Sequence, residues 1–160
     1  MIAAPKLTRG FRNLISQKAK YALKAVMALA RSDAGQLAIS QIAEDENIPK
    51  KFLEQILLDL KYHGIVASRR GKAGGYALCK SPEEITFGEI LRIVDGPVAP
   101  LACLSRIAYR RCADCTDEAD CEVRRVFASV AEATRAILDG TSISASLRPR
   151  EKKIGSLLAG

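Results

Sequence analysis

Between Ser40 and Leu78 two short apolar-periodic segments, a tight break and a glycine-rich basic loop follow one another with almost no spare chain, and that order leaves few folds open. Ile42 and Ala43 mark the inward positions of a short helix predicted over 40–46, with Ser40 as its cap. Only Asn47 and Ile48 separate it from Pro49, which suits the first turn of a further helix. Leu53, Ile56, Leu57 and Leu60 then recur at helical spacing until Gly64 stops the pattern. Short helices joined by so tight a turn predict a helix-turn-helix. Beyond Gly64, Ile65-Val66-Ala67-Ser68 and Tyr76-Ala77-Leu78-Cys79 read as strands on either side of Arg69-Arg70-Gly71-Lys72-Ala73-Gly74-Gly75. The glycines supply turn conformations and the cations gather at the tip. A basic hairpin directly after a helix-turn-helix predicts a winged helix, in a chain that is mainly α with a small β-hairpin wing.

The flanking segments extend this plan. Tyr21, Leu23, Ala25, Val26, Met27, Leu29 and Ala30 fit one broad face of a helix over 16–30, ended by Ser32-Asp33-Ala34-Gly35. Thr86-Phe87-Gly88-Glu89 forms a capping box ahead of Ile90, Leu91, Ile93 and Val94, and Asp95-Gly96-Pro97 terminates that helix. Val123, Val126, Phe127, Val130, Thr134, Ile137 and Leu138 mark one face of a long helix over 123–140, closed by Gly140. An apolar face beyond the compact winged domain needs a covering surface. Its copy in a second subunit is the simplest one, because a homodimer pairs recognition helices on palindromic half-sites. The expected organisation is an N-terminal extension (1–15), a winged domain (16–98), a cysteine-rich loop (99–122), a dimerisation helix (123–140) and a basic tail (141–160), disordered after Leu147.

Charge is informative only locally. The net charge is +7, but Lys6, Arg9, Arg12, Lys18 and Lys20 load the N-terminal segment, and Arg148, Arg150, Lys152 and Lys153 load the tail against Glu151 alone. Setting these aside leaves sixteen bases against seventeen acids. Lys61, Arg69, Arg70, Lys72 and Lys80, however, lie in a stretch with no Asp or Glu, the kind of patch that neutralises phosphates. No apolar run approaches the roughly 20 residues of a membrane span, and residues 1–14 lack the apolar block of a secretory signal. A cytoplasmic protein without a membrane partner is expected. Its core must be built mainly from Leu, Ile, Val and Ala, since there is no Trp.

Four of the five cysteines crowd together as Cys103-x8-Cys112-x2-Cys115-x5-Cys121. In a reducing compartment stable structural disulfides are uncommon, so such a group points to a metal, an iron-sulfur cluster or a switchable disulfide. Asp114, Asp117, Glu118, Asp120 and Glu122 are interleaved with the thiols, which raises thiol pKa values and disfavours a free reactive thiolate; Arg106, Arg110, Arg111 and Arg124 oppose that effect. Cys79 stands apart and is expected to be a small buried residue, Tyr21 and Phe52 core or interface residues, and His63 a favourable imidazole at the carbonyl end of a helix. The chain has no glycine-rich nucleotide loop and no Ser-His-Asp set, and Cys112-x2-Cys115 lacks the strand-to-helix setting of a dithiol oxidoreductase, so no enzyme is expected.

Lys20-Tyr21-Ala22-Leu23-Lys24-Ala25, Ile42-Ala43, Phe52-Leu53-Glu54-Gln55-Ile56-Leu57, Gly64-Ile65-Val66, Ser68-Arg69-Arg70-Gly71 and Gly74-Gly75-Tyr76-Ala77-Leu78 together resemble the Rrf family of winged-helix transcription regulators, from about Ser16 to about Ser146. The cysteine loop resembles that of the family's iron-sulfur-sensing branch. The resemblance implies a homodimer joined by the long last helix, double-stranded operator DNA as partner, a recognition helix in the major groove and a wing over the minor groove. It places Glu54 and Gln55 on the base-contacting pair, Arg70 on the wing arginine, and Lys51 where the family has a shorter polar contact; Arg69 and Lys72 flank the wing arginine. Cys115 and Cys121 reproduce the spacing of the last two cluster ligands and Cys103 takes the first position. The chain departs from the pattern at Arg124, where one sensor has a histidine ligand, and at Lys20, where another has a carboxylate; Cys112 is additional and is the natural fourth thiolate. The expected function is DNA-binding regulation controlled by a cysteine-ligated iron-sulfur cluster that senses iron, redox state or nitric oxide. Zinc or a thiol/disulfide switch at the same cysteines, or a small-molecule or protein effector as in the family's cysteine-metabolism regulators, stands as the alternative.

Overall fold

The computed structural model describes residues 15–71 and 74–147. The elements are α1 (Gln17–Arg31), α2 (Ile39–Asp45), α3 (Lys50–Tyr62), β1 (Val66–Arg69), β2 (Gly75–Leu78), α4 (Phe87–Asp95), α5 (Glu122–Gly140) and α6 (Ile143–Leu147), with a 3-10 turn at Ala102–Leu104. The N-terminal extension up to residue 14, the candidate wing cation Lys72 and the tail from Arg148 onward lie outside the described residues.

The central element is α1. Ser16 caps it, its hydroxyl oxygen accepting from the Ala19 N–H at 3.0 Å, while its own N–H donates to Asp95 Oδ2 at 2.8 Å at the end of α4. Its buried face is dominated by Ala19, Ala22, Ala25, Val26 and Ala28. Such short side chains let α3, α4 and α6 approach the helix closely.

The helix-turn-helix forms with two local changes from expectation. The N-cap of α2 is Ala38, without a side-chain cap bond, so Ser40 lies exposed in the first turn rather than capping it. Pro49 occupies the N-cap of α3 at φ −56° instead of its first turn. Asn47, at φ +51°, makes the turn between them in the left-handed region that Asn tolerates. Leu53, Ile56, Leu57 and Leu60 are fully buried, Gly64 ends α3 at φ +71°, and His63 Nδ1 lies 2.9 Å from the Asp59 carbonyl oxygen, at the predicted carbonyl end. Tyr21 and Phe52 meet edge to face with centroids 5.8 Å apart on the rim of the core.

β1 and β2 pair antiparallel with Val66 opposite Leu78 and Arg69 opposite Gly75. The hairpin is anchored near its turn, where Leu37 bridges Tyr76 through N–H donations in both directions of 2.9 and 2.8 Å. A Cβ on Gly75 would stand 2.3 Å from the Leu37 carbonyl oxygen, so this position needs glycine for closeness rather than for a turn angle. Cys79 is exposed, not buried as expected: β2 ends at Leu78 and the bend at 79–80 turns the side chain outward.

Thr86 caps α4 by accepting from the Glu89 N–H at 3.1 Å, but the Glu89 carboxylate pairs with Lys80 at 2.7 Å. In α5 only Ala131 is buried, while Leu138 is partly buried against the core. Val123, Val126, Phe127, Val130 and Ile137 stay exposed, so the single face read from the sequence is divided between the domain and solvent. Residues 141–147, assigned to a tail by the sequence pattern, fold back. Ser142 bridges Thr86, the Ile143 N–H donates to the Ile85 carbonyl at 2.8 Å, and Ile143 is fully buried beside α1. The result is a winged helix-turn-helix extended by a long helix.

Candidate functional site

Two surfaces carry the chemistry. On α3, Lys51, Glu54 and Gln55 are exposed on the side opposite Leu53, Ile56, Leu57 and Leu60. The C-terminal turn of the helix is held twice: Lys18 of α1 pairs with Asp59 at 2.7 Å, and Lys61 Nζ donates to Ser68 Oγ at 2.8 Å, tying the end of α3 to β1. Arg69 closes β1 and Arg70 follows it, both exposed. Lys80, counted in the basic patch, is drawn away to Glu89, which concentrates the described wing charge at Arg69 and Arg70. Lys50, also exposed at the start of α3, is a further cation that the sequence reading passed over although it adjoins Lys51.

Cys103, Cys112, Cys115 and Cys121 all line one cavity of about 330 Å³, together with Arg110, Arg111, Asp114 and Arg124. Cys103 is buried on the 3-10 turn and the other three are half-buried. Cys121 is the N-cap of α5, its sulfur accepting from the Arg124 N–H at 3.4 Å. That N–H, followed by a hydrogen bond with Cys115, lowers the Cys121 thiol below its ordinary range. Cys115 is pushed up to about 12 by its hydrogen bonds with Cys121 and Cys112, and then by burial. Cys115 therefore holds its proton more tightly than Cys121 does. The acidic neighbours matter less than expected for this difference. Glu118 is engaged by the Tyr109 hydroxyl at 2.9 Å and by Arg124 at 3.6 Å, and Asp117 accepts from the Ala119 N–H. The Glu118 carboxylate raises the Tyr109 phenol through that hydrogen bond.

All five cysteines are free thiols, and among the described residues no group of three or more His, Cys, Asp or Glu forms a ready metal cage. The donor set nevertheless fits a thiolate-bound centre. Four soft sulfur ligands suit zinc or iron-sulfur, and the arginines in the wall offset thiolate charge. The four thiols share one cavity of about 330 Å³. Arg124 Nε is a buried N–H in the cavity wall that faces Glu118 Oε2 at 3.6 Å, outside hydrogen-bond distance. Lys20 lies exposed on α1 and is not part of this wall.

The Rrf2 pattern, described as an iron-dependent transcriptional regulator, matches residues 15–148. The chain belongs to the Rrf2 family. It is 50% identical over 134 residues to an rrf2-like HTH-type regulator of Rhodobacter capsulatus, covering 81% of this chain and 89% of that one. Against CymR of Bacillus subtilis it is 32% identical over 130 residues, 81% of this chain and 86% of CymR. IscR of Escherichia coli matches at 36% over 90 residues, 56% of each chain. Among solved structures, CymR of B. subtilis, titled the global cysteine regulator, superposes with a TM-score of 0.69 at 30% identity over 84% of this chain and 98% of its own. IscR of T. potens does so with 0.64 at 26% identity, over 83% and 85%. The named relatives are transcriptional regulators, and no helix among the described residues is long and apolar enough to cross a membrane.

Proposed function

We propose that this chain is a cytoplasmic homodimer that binds operator DNA and whose occupancy follows the loading of an iron-sulfur cluster at Cys103, Cys112, Cys115 and Cys121. The observation that carries the proposal is the convergence of four free thiols on one roomy cavity at the start of α5, the helix that also bears the exposed apolar face. When bound, the cluster supplies a centre that iron supply, oxidants or nitric oxide can remove or alter.

The protein's own residues supply the output. Cys121 is at once a cavity residue and the α5 cap, so drawing its sulfur toward the other thiols shifts the first turn of α5. Farther along, Asp139 of α5 pairs with Arg92 of α4 at 2.8 Å. The two helices cross over Gly88, where a Cβ would stand within 1.9 Å of the Asp139 carboxylate. Motion of α5 is thereby passed to α4, and α4 packs on α3. Val123, Val126, Phe127, Val130 and Ile137 pair with the partner's copy of the same face, and their register sets the separation of two recognition helices, which must match one DNA turn of about 34 Å. Gln55 suits adenine and Glu54 suits cytosine in the major groove, Lys51 supports them, and Arg69, Arg70 and Lys72 suit phosphates or a narrow minor groove.

A second reading has its own observation. Cys115 is in hydrogen-bonding contact with both Cys112 and Cys121, which suits a thiol switch, and a CymR of Staphylococcus aureus has been solved in an oxidized form. Zinc at the same thiols would hold the loop without electron transfer. A mobility-shift titration on an operator selected from a random pool distinguishes these. Anaerobically isolated protein, chelator-treated protein and a Cys121→Ser variant should differ in affinity, and equal affinities would remove the cluster from the account. Peroxide sensitivity that survives complete metal removal would select the thiol switch.

A further inference from the structure

The exposed side of α3 carries an aliphatic side chain that the core does not use. Leu58 is 57% exposed, although Leu57 and Leu60 beside it are fully buried. It follows Glu54 by four residues and Gln55 by three, so at 100° per residue it lies between them on the same face, one turn farther along. A single exposed leucine is ordinary on a soluble protein. This one sits at the centre of the recognition face, with Lys51 and Lys61 beside it, and Tyr62, 87% exposed, continues the stripe four residues later.

We propose that Leu58 reads a thymine methyl group in the major groove and so sets operator sequence at one position of each half-site. The inference rests on the DNA-binding reading of α3. Among base edges in that groove, thymine alone offers an apolar group, its C5-methyl; the other groups are hydrogen-bond donors or acceptors that an isobutyl side chain cannot satisfy. Leu58 stands about 4.5 to 6 Å along the helix axis from Glu54 and Gln55. Base pairs are spaced about 3.4 Å apart, which puts its thymine one or two base pairs from those that Glu54 and Gln55 contact.

The test uses the full chain, isolated anaerobically, with a half-site sequence selected from a random duplex pool. Each thymine of the selected site is replaced singly by uracil, which lacks only the methyl group. Burial of one methyl corresponds to about a four-fold change in affinity. The expected result is a loss of about that size at one thymine per half-site, with Leu58→Ala binding more weakly to the thymine probe and indifferent to uracil at that position alone. Leu58 is exposed, so this variant should melt with the wild type. Unchanged affinity of the wild type for every uracil probe, or full uracil sensitivity in Leu58→Ala, would overturn the inference while leaving DNA binding intact. Failure to select any duplex would sink it together with the reading on which it rests.

Discussion

Gly75→Ala tests how the wing is held. The added Cβ would stand 2.3 Å from the Leu37 carbonyl oxygen and 2.6 Å from its carbon, backbone atoms that cannot rotate aside. Relief requires β2 to part from Leu37, which breaks the 2.9 and 2.8 Å hydrogen bonds of the Leu37–Tyr76 bridge. Those bonds are worth about 1 kcal/mol each, and the residual crowding adds about 1 to 2 kcal/mol, giving a loss of about 3 to 4 kcal/mol. For a domain of this size that corresponds to a fall in melting temperature of about 10 °C. Circular-dichroism melts at fixed protein concentration and fixed cofactor content would measure it. Gly140→Ala is the control, because its Cβ meets nothing within 4 Å at the end of α5, and it should melt at or slightly above the wild type. A Gly75→Ala melt within about 2 °C of wild type would refute the close approach as the reason for glycine.

Val126→Asp, placed in the centre of the exposed α5 face, should give a folded monomer in sedimentation equilibrium; an unchanged dimer would remove that face from the interface. Arg70→Ala should weaken operator binding across sequences and lower the slope of log affinity against log salt by about 1, and an unchanged titration would remove the wing arginine. In metal-free reduced protein at neutral pH, Cys121 should be alkylated ahead of Cys115. The lowered thiol of Cys121 carries the larger thiolate fraction, and Cys115, pushed up to about 12, stays protonated. Equal rates by peptide mass spectrometry would contradict the assigned proton sharing.

The elements that were legible in the sequence are those with both a period and a terminator. α3 has Leu53, Ile56, Leu57 and Leu60 before Gly64, and α4 has Thr86 before its apolar run and Gly96 after it. α6 was not legible because Ile143 and Leu147 give only one helical repeat; its position is set by tertiary contacts with Ile85 and Thr86. The division of the α5 face, the exposure of Cys79 and the pairing of Lys80 with Glu89 likewise depend on neighbours distant in sequence. At the site, thiol spacing identified the four cysteines that share a cavity. It carried no information on the Cys112–Cys115–Cys121 contact or on Cys121 as the cap of α5, both of which arise from the path of the loop.

The most direct test is elemental. Protein isolated without oxygen should be coloured and contain iron and acid-labile sulfide in near-equal amounts, both lost in Cys121→Ser. Colourless protein with neither iron nor sulfide, or protein holding zinc alone, would contradict the account.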